Sequence, residues 1–133
     1  MSNASSSQRV NFVGSEQRLL SGIIDLPIGT PRGFILSAHC FTCGKDLKAT
    51  FRLAKQLTAR GWGVLRFDYA GIGLSEGDFS QTNFTTNRID LIAAASYLQE
   101  RWLPPVMLLG HSFGGAASLS VVNEIASARG VVT

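Results

Sequence analysis

A serine flanked on either side by glycines two residues away, Gly110-His111-Ser112-Phe113-Gly114, is the part of this sequence best suited to chemistry. It follows the apolar run Val106-Met107-Leu108-Leu109 and precedes an alanine-rich stretch, so it reads as a tight turn from a strand into a helix. Glycines are required at both flanks because side chains there would collide, and Ser112 must be held in a strained backbone conformation. Such a turn projects a hydroxyl into the open at a helix N-terminus. Unpaired N–H groups there stabilise negative charge, and the Phe113 amide is one such donor. The chemistry would be attack by Ser112 on a carbonyl carbon. The plainer alternative is a glycine-rich turn whose serine caps the helix.

Two other patterns carry possible chemistry. Cys40-Phe41-Thr42-Cys43 is a C-x-x-C between a strand and a helix, the setting in which thiol–disulfide enzymes place a reactive cysteine. That reading leaves the serine turn unexplained. No second cysteine pair completes a tetrahedral zinc site, so neither a metal nor a cofactor is expected. Gly71-Ile72-Gly73-Leu74-Ser75-Glu76 begins like a dinucleotide fingerprint, yet Glu76 stands where the third glycine belongs and would oppose a pyrophosphate. A scaffold that keeps the fold only for binding is the remaining alternative.

The elements that must position these residues follow from periodicity. Arg9 to Val13 and Gln17 to Leu26 read as an antiparallel pair turning at Gly14-Ser15-Glu16. Gly33 to Ala38, Gly63 to Asp68 and Val106 to Leu109 read as buried strands, and Gly130 to Val132 as the beginning of another. Between them, one helix starts with Asp46 as N-cap and exposes an apolar stripe of Leu47, Phe51, Leu53, Ala54 and Leu57 to the core. A second runs from Phe84 to Trp102 with Ile89, Ile92, Ala93, Ser96 and Tyr97 inward, and a third from Ala116 to Ala128. The order predicts an α/β three-layer sandwich around a mostly parallel sheet with right-handed crossovers.

The 133 residues are 45% hydrophobic and 16% charged, with a net charge of +3, which fits one globular domain of residues 9–133. Residues 1–8 read as a disordered tail or expression remnant. Lysines and arginines are scattered, so no nucleic-acid partner is expected, and no apolar run is long enough to span a membrane. A cytoplasmic protein acting on a small-molecule substrate is the expectation.

Three segments together resemble the α/β-hydrolase superfamily. They are His39-Cys40-Phe41, the loop Asp68-Tyr69-Ala70-Gly71-Ile72-Gly73-Leu74-Ser75, and Gly110 to Gly114, in the superfamily's order. The Ala38 to Asp46 stretch is most similar to the hydrolase module that precedes an OsmC-like domain in two-domain bacterial proteins. The resemblance implies that the Phe41 amide is the second oxyanion donor, that His39 shapes its loop and that Asp68 braces the glycine loop. Cys40 departs from the pattern, standing where the superfamily usually has glycine. Phe41, Tyr69 and Phe113 would give the site an apolar wall.

A serine needs a histidine to take its proton and an acid to orient that histidine. In the superfamily both follow the serine. After Ser112 this sequence has no His or Asp, and its one carboxylate, Glu124, falls in the third helix. His39 and His111 are each expected to be packed and hydrogen-bonded rather than catalytic. The chain reads as the N-terminal portion of a longer enzyme, inactive alone, with a bare sheet edge that invites self-association or a complementing chain.

Overall fold

The computed structural model describes residues 4–133. Among them are six strands, β1 (Ser6–Val13), β2 (Leu19–Leu26), β3 (Phe34–Ala38), β4 (Gly63–Phe67), β5 (Pro105–Gly110) and β6 (Val131–Val132), and the helices α1 (Lys48–Ala59), α2 (Phe84–Arg101) and α3 (Phe113–Val121). The strands form one sheet in the order β1-β2-β4-β3-β5-β6. β1 and β2 are antiparallel and β2 pairs antiparallel with β4, whereas β4, β3, β5 and β6 run parallel. This is the mostly parallel α/β sheet that the alternation of periods implies.

β3 and β4 are buried along their whole length because helices cover both faces of the sheet. α2 and α3 pack against each other and onto Leu36, Leu65 and Leu108, with Leu91, Ala94, Leu98, Ala117 and Val121 filling the layer between. Each fully buried leucine contributes about 1.5–3 kcal/mol relative to exposure. α1 lies over β4 and β2, on the face where Ser37 and Leu109 line a groove with Ala49 and Leu53. No helix among the described residues is long and apolar enough to cross a membrane.

Several elements depart from the sequence expectation. β1 begins at Ser6, inside the stretch read as a tail: Ser6 and Ser7 pair with Leu26 and Asp25, and the Ser7 hydroxyl donates to Asp25 at 2.5 Å. Ladder bonds come from the backbone and ask for no apolar side chain, so composition concealed this strand. Residues 4 and 5 are exposed and precede the strand, and the part of the tail expectation that falls on residues 1–3 lies outside the described residues. α1 starts after Leu47 without a side-chain cap, because the Asp46 carboxylate is taken by Lys45 and Arg66. Its expected apolar stripe turns inward only in part: Ala54 is buried, together with Thr58, Leu47 and Leu57 are half-buried, and Phe51 and Leu53 are exposed.

α2 presents the expected face only in part: Ile92, Ala93 and Tyr97 pack against the core as expected. It buries Thr86, Asn87, Asp90, Leu91, Ala94, Ala95 and Leu98, while Ile89 and Ser96 face solvent. Thr86 and Asp90 belong inside because they bond to backbone. Asn83 and Thr86 form a reciprocal capping box, and Asp90 accepts the N–H groups of Ser15 (2.7 Å) and Ala70 (2.9 Å). α3 stops at Val121 rather than Ala128. A 3-10 turn, Val122–Glu124, returns the chain, after which Ser127 Oγ donates to the Pro105 carbonyl (2.5 Å) and the Arg129 N–H to that of Val106 (2.8 Å), delivering β6 beside β5. Strand pairing outweighs the helix propensity of Ala126 and Ala128.

Candidate active site

Ser112 sits between the end of β5 and the first residue of α3 with φ +55° and ψ −113°, a region that non-glycine residues rarely occupy. It is solvent-exposed and its side chain makes no capping bond, so the hydroxyl is not spent on the helix. The reason only glycine fits beside it is steric. A Cβ on Gly110 would lie 2.3 Å from the Gly115 nitrogen, and one on Gly114 would lie 2.1 Å from the Ala38 carbonyl oxygen. Gly114 thereby brings the start of α3 against the end of β3, and the His111 N–H donates to that same Ala38 carbonyl at 3.2 Å. As the first residue of α3, Phe113 has no preceding helical carbonyl for its N–H.

The loop after β3 faces this turn. His39 is buried, its Nε2 accepting the Tyr69 N–H (3.2 Å) and its Nδ1–H donating to the Cys40 carbonyl (2.5 Å), with the Tyr69 ring edge-on at 4.5 Å. Burial holds its pKa below the usual 6.5, partly offset by the Cys40 carbonyl and by Asp68. The ring is neutral and both nitrogens are occupied, so it positions the loop and has no free nitrogen for Ser112. Cys40 and Cys43 are joined by a disulfide that brackets Phe41, and no acceptor among the described residues takes the Phe41 N–H. α1 begins only at Lys48, so neither sulfur sits at a helix N-terminus, where a thiol–disulfide enzyme would have its thiolate stabilised.

His111 is placed otherwise than expected. Its ring is exposed, lining an open groove of about 340 Å³ with Ser37, Leu53, Leu109 and Val132, because the turn directs successive side chains to different sides. Neither histidine hydrogen-bonds to Ser112 among the described residues. Glu124 is exposed and pairs with Arg88, which also reaches Ser120 of α3.

Asp68, at the end of β4, is buried and accepts from the Lys45 N–H (2.7 Å), the Lys45 ammonium (2.7 Å) and the Leu74 N–H (3.1 Å). Its carboxylate underlies Gly73, where a Cβ would approach Oδ2 to 2.4 Å, and its carbonyl takes the Ser75 hydroxyl. Glu76 accepts the Leu19 N–H at 2.6 Å, so the acidic residue that spoils a dinucleotide fingerprint ties the loop to β2. A short 3-10 turn follows rather than the helix a dinucleotide site requires.

Sequence reading missed the extent of this charge network. Lys45 is only 2% exposed, and it also reaches Asp46. Arg66 is buried too, pairing with Asp25 (2.8 Å) and donating to the Lys45 carbonyl (2.9 Å). The available signal was Arg66 inside the otherwise apolar run Gly63 to Phe67, since a charge in a fully covered strand must have a buried partner. Also missed were Phe79 and Phe84. Phe41 contacts Phe79 and Phe113 edge-on at 5.3 and 5.5 Å, and Phe84 contacts Phe113 at 5.7 Å, forming a partly exposed aromatic wall beside Ser112. Tyr69 lies buried beneath it with an unpartnered hydroxyl.

Comparison with known proteins agrees with this arrangement. The family model described as serine aminopeptidase, S33, matches residues 29–133. Monoglyceride lipase of Rattus norvegicus is 33% identical over 100 residues, and the match takes in 74% of this chain but 32% of that protein. An esterase domain of a Rhodothermus marinus protein is 39% identical with a TM-score of 0.77, covering 95% of this chain and 48% of its own. The Pyrococcus furiosus esterase Pf2001, 20% identical with a TM-score of 0.84, shares the fold over 96% of this chain and 48% of that one. The chain thus spans about half the length of these solved structures and about a third of the curated lipase. With its strand–serine–helix turn and its sheet order, it belongs to the serine aminopeptidase S33 family of α/β-hydrolases.

Proposed function

We propose that this chain supplies the nucleophile and oxyanion hole of an ester hydrolase acting on an apolar acyl group. The observation that carries the reading is the backbone of Ser112, held at φ +55° with its hydroxyl exposed and free of any capping bond. Ser112 Oγ attacks the ester carbonyl, and the Phe41 and Phe113 N–H groups receive the developing oxyanion. Collapse of that intermediate expels the alcohol and leaves an acyl-enzyme, which water then cleaves. The aromatic wall of Phe41, Phe79, Phe84 and Phe113 favours an apolar acyl group. His39 and Asp68 act by holding the two loops in place.

The histidine that accepts the Ser112 proton is proposed to lie outside this chain. Both nitrogens of His39 are engaged, and His111 makes no bond to the serine. Labelling with a fluorophosphonate probe, read by intact mass, tests both parts. The expected result is labelling at Ser112 in a protein continued through the rest of its gene, none in its Ser112→Ala variant, and at least ~100-fold slower labelling of the present chain. Equal labelling of the present chain would place a working base within it. Labelling that survives Ser112→Ala would remove the nucleophile assignment.

A further inference from the structure

We propose that Cys40–Cys43 is a reversible redox site, and that reduction by a dithiol releases the oxyanion loop and slows reaction at Ser112. The inference rests on the reading of Phe41 as an oxyanion donor. The disulfide closes a turn with Phe41 and Thr42 at its tip, both exposed, and with both cysteines half-buried, so a reductant can reach it. On either side the chain is anchored without its help. His39 is fixed by the Tyr69 N–H, and Lys45 by two bonds to the buried Asp68 carboxylate. Between those anchors, the backbone of residues 40–44 is held by the Cys43 N–H donating to the Cys40 carbonyl at 3.2 Å, by the His39 Nδ1–H donating to that same carbonyl, and by the disulfide, which alone reaches across Phe41 and Thr42 through side chains. The bridge is therefore the one covalent constraint on the segment that aims the Phe41 N–H, and its loss leaves the rest of the fold standing.

The exchange balances in two steps. A thiolate of the dithiol attacks one sulfur of the bridge, forming a mixed disulfide and expelling the other cysteine as a thiolate, which takes a proton. The reductant's second thiol then attacks the mixed disulfide, freeing the second cysteine. Two electrons and two protons pass to Cys40 and Cys43, and the reductant leaves as a cyclic disulfide. The consequence is a looser oxyanion donor, and complete loss of one such donor costs about 100- to 1,000-fold in rate.

Three readouts test this. Alkylation read by intact mass should add nothing before dithiothreitol and two groups after it. Residue-resolved amide exchange on the present chain should show the Cys43 N–H exchanging about tenfold faster after reduction, with residues 110–116 unchanged. In the protein continued through its gene, fluorophosphonate labelling should slow by about tenfold on reduction. A Cys40→Ser, Cys43→Ser double variant should show the reduced behaviour whether or not dithiothreitol is present. Cysteines that alkylate without reductant, a Cys43 amide indifferent to reduction, or an unchanged labelling rate in a protein that does label at Ser112 would each overturn the proposal. If nothing labels at Ser112 under any condition, the nucleophile reading falls, and thiol titration with Cys43 exchange decides whether the bridge is a redox site.

Discussion

At the serine turn, residues 110–115, geometry comes from steric exclusion. Gly110 and Gly114 leave room for backbone to pass backbone, and no charged side chain takes part. The facing segment, residues 39–46, is held by the opposite means. There the buried His39 accepts a backbone N–H from the next loop, and the buried Asp68 carboxylate takes both the backbone N–H and the ammonium of Lys45. The two meet where the Gly114 Cα passes the Ala38 and His39 carbonyls. One region is stiff because nothing else fits, and the other is held at His39 and Lys45 because several polar groups would be left unpaired if those ends moved, its tip at Phe41 being spanned by the Cys40–Cys43 bridge. A nucleophile can be fixed locally by its own turn, but a donor delivered from a loop must be tied down from outside.

The largest effect should come from breaking the polar side. Lys45→Met leaves Asp68 buried without its cation, and urea unfolding should show a loss of about 3–5 kcal/mol. A change under ~1 kcal/mol would mean that the backbone donors alone satisfy the carboxylate. The steric side should answer to a smaller alteration. Gly114→Ala places a methyl against the Ala38 carbonyl and should cost about 1–3 kcal/mol, while also displacing Ser112 and suppressing fluorophosphonate labelling in the continued protein. An unperturbed variant would show that α3 can slide away from β3 at no cost.

The smallest effect sharpens the contrast through pH. His39 titrates below its unfolded value of 6.5 because burial disfavours the imidazolium. Below pH 6.5 the unfolded chain binds a proton that the folded chain does not, so this group's contribution is fully present above 6.5 and is lost as pH falls towards the depressed folded pKa. The melting temperature should decline over that interval, and His39→Gln should flatten the decline. A slope that persists in His39→Gln would assign it to other groups.

What could be read without coordinates followed from short-range rules. G-x-S-x-G after Val106 to Leu109 specified a strand, a strained serine and a helix because the conflict between Gly110 and the Gly114–Gly115 backbone is built into six consecutive residues, whereas the close approach of Gly114 to the Ala38 carbonyl is not visible there. The alternation of apolar runs with helical spacing likewise fixed a mostly parallel sheet. Helix faces were less accessible. On α2, apolar spacing points Ile89 and Ser96 inward, and nothing in that spacing signals that Asp90 is completely buried. On α3, alanine content extended the helix past Val121, since β6 pairing is not visible in local propensity.

The sequence by itself determined the fold class, the opening antiparallel pair and the exposed serine turn, all of which are signalled by residue patterns among near neighbours in the chain. Only the tertiary structure decided that Lys45 and Arg66 lie inside, that Asp25, Asp68 and Asp90 hold loops, and that Phe41, Phe79, Phe84 and Phe113 converge beside Ser112. Those partners lie far apart in sequence, as with Arg66 and Asp25 or Ser15 and Asp90. A charge becomes tolerable in the interior only once the fold has brought its counter-charge and donors within hydrogen-bonding distance.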